Sequence, residues 1–357
     1  MKTYIKFIFA SFLKSFLFIF IITFCLIFIL NLLSEIDFFK EIKVNYYFPI
    51  FLSFLNSPSL LFEIFPFIIL LSAQLFFVNI FKENQIEIFK YSGLKNFDLI
   101  KIISILTLLI GLITIIFYYN FSSNLKNFYL SLKSKYTTDD KYLAVITNNG
   151  LWIKDRINEK IFIINALEVS DNFLNDAFIS EFDNNFNLIR NIKSDLINIE
   201  SKKWIIYDAI IFEGNRKNTQ KILELNSNFD YQQIQNLFSN LSSLSIMDLF
   251  KLKKNYNRLG YSTTEIDIHL MKIIIFPIYL VLMVIFSSIL MLSFKHLKNN
   301  TFKISMGLFF SVIIYYINNF FYVLGSTERI SLILAIITPI MILSLVNLIM
   351  LNNINEK

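Results

Sequence analysis

The sequence predicts a membrane protein of six transmembrane α-helices with an all-β domain inserted between the third and the fourth. Three observations predict it. Residues 15–34, 64–81, 102–125, 273–294, 304–324 and 330–355 carry no charged side chain, and a helix needs about 20 apolar residues to cross a bilayer. Three of these runs precede, and three follow, a stretch of ordinary polar composition in which short Ile-, Phe-, Val- and Tyr-rich runs alternate with Asn, Asp and Gly. The whole chain is 55% hydrophobic with a mean hydropathy of +0.57, well above a soluble domain.

Taken in order, residues 1–125 hold spans one to three. The first apolar run is too long for the core of a cleaved signal peptide, and no small-residue cleavage site follows it, so it is expected to remain as an anchor. The single cysteine, Cys25, lies within it, which rules out a disulfide inside the chain and leaves the redox compartment unread. Residues 44–62 are apolar but contain Pro49 and Pro58. They read as a short interfacial helix leading into span two, with Pro58 at the first turn, where a missing N–H costs nothing. Glu63 reads either as an interfacial carboxylate favoured by a helix dipole or as a functional acid at the membrane. In 82–101, Ile86, Phe89, Leu94 and Phe97 recur among charges at near-helical spacing, and Ser92 and Gly93 make a break. The segment reads as two short amphipathic helices on the membrane surface, against the alternative of a solvated connector.

Residues 126–243 change period. Strand-like runs fall at 142–147, 151–154, 160–166, 177–182, 188–200, 204–212 and 222–228, separated by turn-like clusters at 148–150, 183–185 and 213–215. Repeated short strands at regular spacing predict a sandwich or open roll, and the absence of proline from 126–270 suits uninterrupted strands. Trp152 and Trp204 are expected in its core. Residues 244–272 form a helical connector. Ser245 and Asp248 have capping-box spacing, Leu249, Leu252 and Tyr256 share a face, and Gly260 is a natural terminator. A second helix from about residue 263 runs into span four, and 273–357 hold spans four to six.

Orientation follows from the loops. Lys2, Lys6 and Lys14 precede span one, and Lys295, Lys298 and Lys303 lie between spans four and five, in both cases without acids. The loop after span one mixes Glu35, Asp37, Lys40, Glu41 and Lys43, and the loop after span five has only Glu328 and Arg329. Basic ends stay in the cytoplasm. Both termini, 82–101 and 295–303 are therefore expected inside, and 126–270 in the periplasm of a double-membraned bacterium. The net charge of +6 belongs to this asymmetry and carries no nucleic-acid signature.

Several chemistries are excluded. The seven glycines fit neither G-x-x-x-x-G-K-[ST] nor G-x-G-x-x-G, the two phosphate-cradling patterns. With His269, His296 and one cysteine, no His/Cys metal cluster can form; His269 reads as interfacial, no catalytic residue is assigned and no cofactor is expected. Span centres offer Thr, Ser, Asn, Gln and Tyr rather than the ionisable groups of an ion-coupled carrier. Such walls suit a lipid-like substrate, with energy supplied from elsewhere through 82–101.

On these residues the chain resembles the LptF/LptG permeases of the lipopolysaccharide-export ABC transporter. The likeness spans nearly the whole chain and leans toward the LptG branch. Residues 149–155 (NGLWIKD) and 160–165 (KIFIIN) look like that branch's opening strand pair, and 244–256 with Gly260 resembles its following helix. Pro277, Gly307, Tyr315 and Pro339 match family positions in spans four to six. Ser92 and Gly93, preceded by Gln85 and Ile86, resemble the family's coupling helix. The resemblance implies a β-jellyroll-like periplasmic domain in an inner-membrane subunit. As partners it implies an LptF-type permease in a heterodimer, an LptB-type cytoplasmic ATPase dimer, an LptC/LptA-type bridge and lipopolysaccharide. It also implies ATPase coupling through Glu83, Gln85, Glu87, Ser92 and Gly93, and lipopolysaccharide contact through Lys40 and Lys43. Three positions depart from the pattern: Gln85 stands where Glu is frequent, Ser34 where a basic residue is common, and Lys272 one place before the usual basic position. The competing readings are the LptF-type subunit, a non-transporting membrane-anchored periplasmic scaffold, and an intramembrane enzyme disfavoured by the missing catalytic set.

Overall fold

A computed structural model describes residues 3–40, 42, 44–82, 85–91, 93–133, 136, 151–157, 160–170, 172–214, 216–231, 234, 240–259, 262–293 and 299–355. The chain packs as two units, Met1–Tyr129 with Thr264–Lys357, and Leu130–Thr263.

In the first unit, six helices are long and apolar enough to cross a membrane: Thr3–Phe38, Phe65–Lys82, Asn96–Lys133, Thr264–Ser293, Thr301–Ser326 and Leu332–Asn352. We label the helices of this unit α1 (Thr3–Phe38), α2 (Tyr47–Glu63), α3 (Phe65–Lys82), α4 (Gln85–Tyr91), α5 (Asn96–Ile113) and α6 (Asn120–Lys133), then α8 (Thr264–Ser293), α9 (Asn300–Ser326) and α10 (Leu332–Asn355). A π-helical turn, Thr114–Tyr119, joins α5 to α6, a form often found at functional positions. Most of these helices outrun their charge-free segments. The 36 residues of α1 reach about 54 Å at 1.5 Å per residue.

The entry to span two differs from the sequence expectation. Pro58 lies inside α2, and the helical break falls at Ile64 instead, with Pro66 in the first turn of α3, where proline is tolerated. Side chains brace α2 across its proline. Ser57 Oγ donates to Ser53 O at 2.5 Å and Ser53 Oγ to Pro49 O at 2.7 Å. Asn31 of α1 donates to Ser53 O at 3.1 Å and accepts from Asn56 Nδ2 at 3.2 Å. These bonds and the burial of Leu52 and Leu61 hold the helix through a residue that removes one of its backbone bonds.

Phenylalanine fills the bundle core. Phe12 meets Phe76 edge-on at 5.8 Å, and Phe62 stacks on Phe276 at 4.7 Å, geometries favoured by ring quadrupoles. The helices differ in depth: 67% of the span window in α3 and 61% in α8 is buried, against 17% in α1, 11% in α9 and 22% in α10. Close approach locks the inner helices together. A Cβ on Gly111 of α5 would lie 2.9 Å from Pro277 Cα of α8, and Ser287 Oγ of α8 donates to Leu70 O of α3 at 2.9 Å. Helix α3 is also held to α9 by Gln74, which lies over Gly307 and donates to Lys303 O at 3.1 Å.

The second unit is a six-stranded antiparallel sheet in sequential order: β1 (Leu151–Ile157), β2 (Lys160–Ser170), β3 (Phe173–Phe182), β4 (Leu188–Asn198), β5 (Lys203–Glu213) and β6 (Arg216–Asn226). The run at 142–147 and the turn at 148–150 lie outside the described residues. A flat sheet would put β1 and β6 about 24 Å apart, five steps of about 4.8 Å. Yet Asp155 of β1 bonds Ser227 and Asn228, just past β6, at 2.7–2.9 Å. The sheet is therefore curled into a roll. Asp176 (φ 48°) and Asp208 (φ 45°) contribute: both drop out of the pairing ladders of β3 and β5 in a left-handed conformation that Asp tolerates.

Leu151, Ile153, Ile164, Leu174, Ile179, Ile192, Trp204 and Ile206 fill the inside. Trp204 is fully buried and donates to Phe229 O at 2.7 Å. Trp152 does not join it. It stands between buried Leu151 and Ile153 and is 52% exposed, because successive strand residues point to opposite faces. Glu181 is also buried, bonded to Lys160 at 2.7 Å and to Arg190 at 2.5 Å. Burial alone would raise its pKa, but the bonds and charges of Lys160 and Arg190 outweigh it and hold the carboxyl below its ordinary range. Helix α7 (Ile246–Leu259) follows, started by the expected Ser245–Asp248 pair: Asp248 N–H donates to Ser245 Oγ at 3.2 Å and Ser245 Oγ to Asp248 Oδ2 at 2.6 Å. Gly260 lies outside the described residues.

Candidate functional site

Among the described residues, no single cleft gathers those singled out in the sequence; the first unit instead carries three polar or exposed features. The first is the segment between α3 and α5. Helix α4 ends in a Schellman motif, in which Leu94 N–H donates back to Phe89 O at 3.0 Å across Gly93 at φ 84°. That conformation is the reason for a glycine there. Phe89 is buried, with its ring 6.1 Å from Phe7 of α1. The carboxylate of Asp98 accepts the Lys95 N–H at 3.0 Å and starts α5. Gln85 is half-buried and Glu87 exposed, while Glu83 and Ser92 lie outside the described residues. The outward residues are ones the sequence reading passed over: Ile88 and Tyr91 are 63% and 90% exposed. A signal existed, since Ile88 and Tyr91 form a second i,i+3 pair about 200° round from Ile86 and Phe89.

The second feature joins the ends of several helices. Lys40 is exposed just past α1, behind Phe39, which is buried against Phe38 at 4.7 Å and Phe48 at 5.4 Å; Lys43 lies outside the described residues. Glu35, taken from sequence as part of a loop, is buried inside α1 and accepts from Tyr129 OH at 2.7 Å. Glu63 is the exposed last residue of α2, two before the start of α3. Tyr119, in the π turn, bonds His269 Nε2 at 3.0 Å. Lys272 Nζ lies 5.0 Å above the Tyr322 ring, within cation–π range. Thr264 Oγ1 donates to Glu328 at 2.8 Å, and Lys126 is nearly buried. These pairs tie α1 to α6, the π turn to α8, and α8 to α9 and its following turn. Sequence reasoning missed Tyr119, Lys126 and Tyr129, because partners 94 and 150 residues away leave no local trace.

The third feature is α9. Tyr315 and Tyr316 are 46% and 65% exposed, and Asn319 is exposed beside them. Facing hydrocarbon, such polar groups are costly. Against another helix or a wet cavity they are satisfied. Helix α10, by contrast, turns Ile333, Leu334, Ile337, Met341, Leu345 and Ile349 outward, a lipid-facing surface. Among the described residues, no three His, Cys, Asp or Glu side chains gather as a metal site would need.

Among the described residues, six apolar helices with a β roll between the third and the fourth define a multi-pass membrane protein. Residues 6–353 match the family described as lipopolysaccharide export system permease LptF/LptG. The chain belongs to that family and is thus a permease of the lipopolysaccharide export system, a transporter subunit of the inner membrane. No curated protein matches it.

Proposed function

We propose that the chain is the LptG-type half of a permease heterodimer. In this reading it extracts lipopolysaccharide from the inner membrane together with an LptF-type subunit, driven by a separate LptB-type ATPase dimer, and passes the lipid to an LptC/LptA-type bridge. Residues 149–155 support the LptG assignment. The observation that carries the pairing is α9: a span whose Tyr316 and Asn319 are exposed, with Tyr315 only partly covered by Phe67, needs a second polar or protein surface in the bilayer.

Both termini and α4 are cytoplasmic in this reading, and the β roll is periplasmic. Helix α4, with Gln85, Glu87, Gly93 and the flanking Glu83 and Ser92, receives the ATPase through its outward Ile88 and Tyr91. Lys40 and Lys43 stand at the periplasmic rim, where ammonium groups meet lipopolysaccharide phosphates. The test is site-specific photocrosslinking from position 316 in native membranes, followed by mass spectrometry. The expected adducts are a paralogous permease and lipopolysaccharide. Adducts to ordinary phospholipid alone would overturn the pairing, and a periplasmic protein recovered without an ATPase would favour the scaffold.

A further inference from the structure

Helix α7 has one face that the fold uses and one that it leaves outward. Leu249 and Leu252 are buried, whereas Met247 is 71% and Phe250 52% exposed. Lys251, Lys254 and Asn257 continue the outward stripe at helical spacing. Across the helix four basic residues, Lys251, Lys253, Lys254 and Arg258, stand against the single acid Asp248, which pairs with Lys251 at 3.1 Å and leaves a basic excess. Phe250, Lys253, Lys254 and Asn257 line an open cleft of about 430 Å³. Apolar side chains beside ammonium groups on one exposed stripe match the boundary between acyl chains and phosphate headgroups. Only residues 260–263 separate α7 from Thr264, the first residue of the span α8, a link of at most about 18 Å when fully extended.

We propose that α7 is a membrane-surface helix: its Met247–Phe250 edge enters the bilayer interface and its lysines bind the phosphates of anionic phospholipid. Charge complementarity and the short tether to a span select lipid over a protein partner. The inference does not depend on which permease type the chain is.

The experiment uses the full-length chain with Cys25→Ser and a fluorophore on Phe250→Cys, or on Asn185→Cys in the exposed β3–β4 turn as control. The chain is reconstituted in nanodiscs of phosphatidylcholine alone or in an equal mixture with phosphatidylglycerol, and quenching by a headgroup-attached spin label is read. Anionic lipid is expected to raise quenching at 250 and leave 185 unchanged. Lys254→Gln, a solvent-exposed change, should lower the docked-to-undocked ratio about fivefold. Quenching at 250 that ignores lipid charge, or shielding of 250 that appears only when a second permease is added, overturns the proposal.

Discussion

The closure of the β roll rests on one carboxylate, so Asp155→Ala should open it. Asp155 is 2% exposed and accepts from Ser227 Oγ at 2.8 Å, Asn228 N–H at 2.9 Å and Asn228 Nδ2 at 2.7 Å. A hydrogen bond to a charged group contributes about 1.5–3 kcal/mol. Three on one carboxylate do not add, because removing it also ends the cost of burying the charge, so the expected loss is about 3 kcal/mol. That corresponds to roughly a hundredfold in the opening equilibrium of the segment. Hydrogen exchange on the full-length chain reads this directly. The reporters are the amides of Phe229, bonded to Ser227 Oγ at 3.1 Å, and Tyr231, bonded to Ile199 O at 2.8 Å. Both should exchange about a hundredfold faster, with α3 and α8 unchanged. Asp155→Asn keeps one acceptor oxygen and should fall between. Unchanged exchange at both amides in Asp155→Ala would refute the reasoning and leave closure to the packing of Trp204 and Phe229.

Other perturbations test other parts of the fold. In Gly307→Ala the new Cβ would sit 1.8 Å from Gln74 Nε2; it displaces the amide, costs about 1–3 kcal/mol and lowers the unfolding midpoint, and adding Gln74→Ala should restore part of it. Glu181 has a folded pKa below its ordinary 4.5, so its stabilisation is complete above that value and lost as pH falls through the lower folded one. Acid unfolding of the β roll should therefore steepen below about pH 4.5, and Glu181→Gln should remove that dependence. If α4 receives the proposed ATPase, Ile88→Glu with Tyr91→Ala should reduce co-purification of that subunit about tenfold or more, as loss of an exposed apolar anchor does, without moving the unfolding midpoint. If Lys40 and Lys43 form the proposed phosphate contact, Lys40→Glu with Lys43→Glu should lower lipopolysaccharide crosslinking there, read as adduct yield against wild type.

The spans were legible because a bilayer imposes its rule over whole segments: absence of charge across 304–324 or 330–355 needs no partner to interpret. The strands were legible as short apolar runs bounded by turn-like residues, as in 160–166. What escaped depends on remote contacts. Nothing near Asp155 foretells Ser227 and Asn228, 72 and 73 residues away, so the roll could be named only as one of two all-β forms. Pro58 read as a helix start because proline usually is one; only the bracing by Asn31 and the serines of α2 lets the helix continue. Trp152 was placed inside on residue type, although period two, with Leu151 and Ile153 buried, had already put it outside. In the coupling segment Gly93 was legible as a break, yet the outward pair Ile88 and Tyr91 lay off the stripe that was followed.

The depth of each helix bears on how a push at α4 would travel. Helix α4 lies between α3 and α5 in sequence, and both are locked to α8. Gly111 leaves no room to shift against Pro277, and Ser287 holds Leu70 across the α3–α8 contact. Packed elements of this kind have discrete arrangements and do not deform continuously, so displacement at α4 carries α3, α5 and α8 as one body. The shallow helices are α1, α9 and α10, whose windows are 17%, 11% and 22% buried; α9 is nonetheless tied to the same body, to α3 through Gln74 and to α8 through Tyr322 and Glu328. Of the three, α9 bears the exposed Tyr316 and Asn319. In the proposed heterodimer, a body that moves as a unit would change the space between the two permeases without rearranging the core of either.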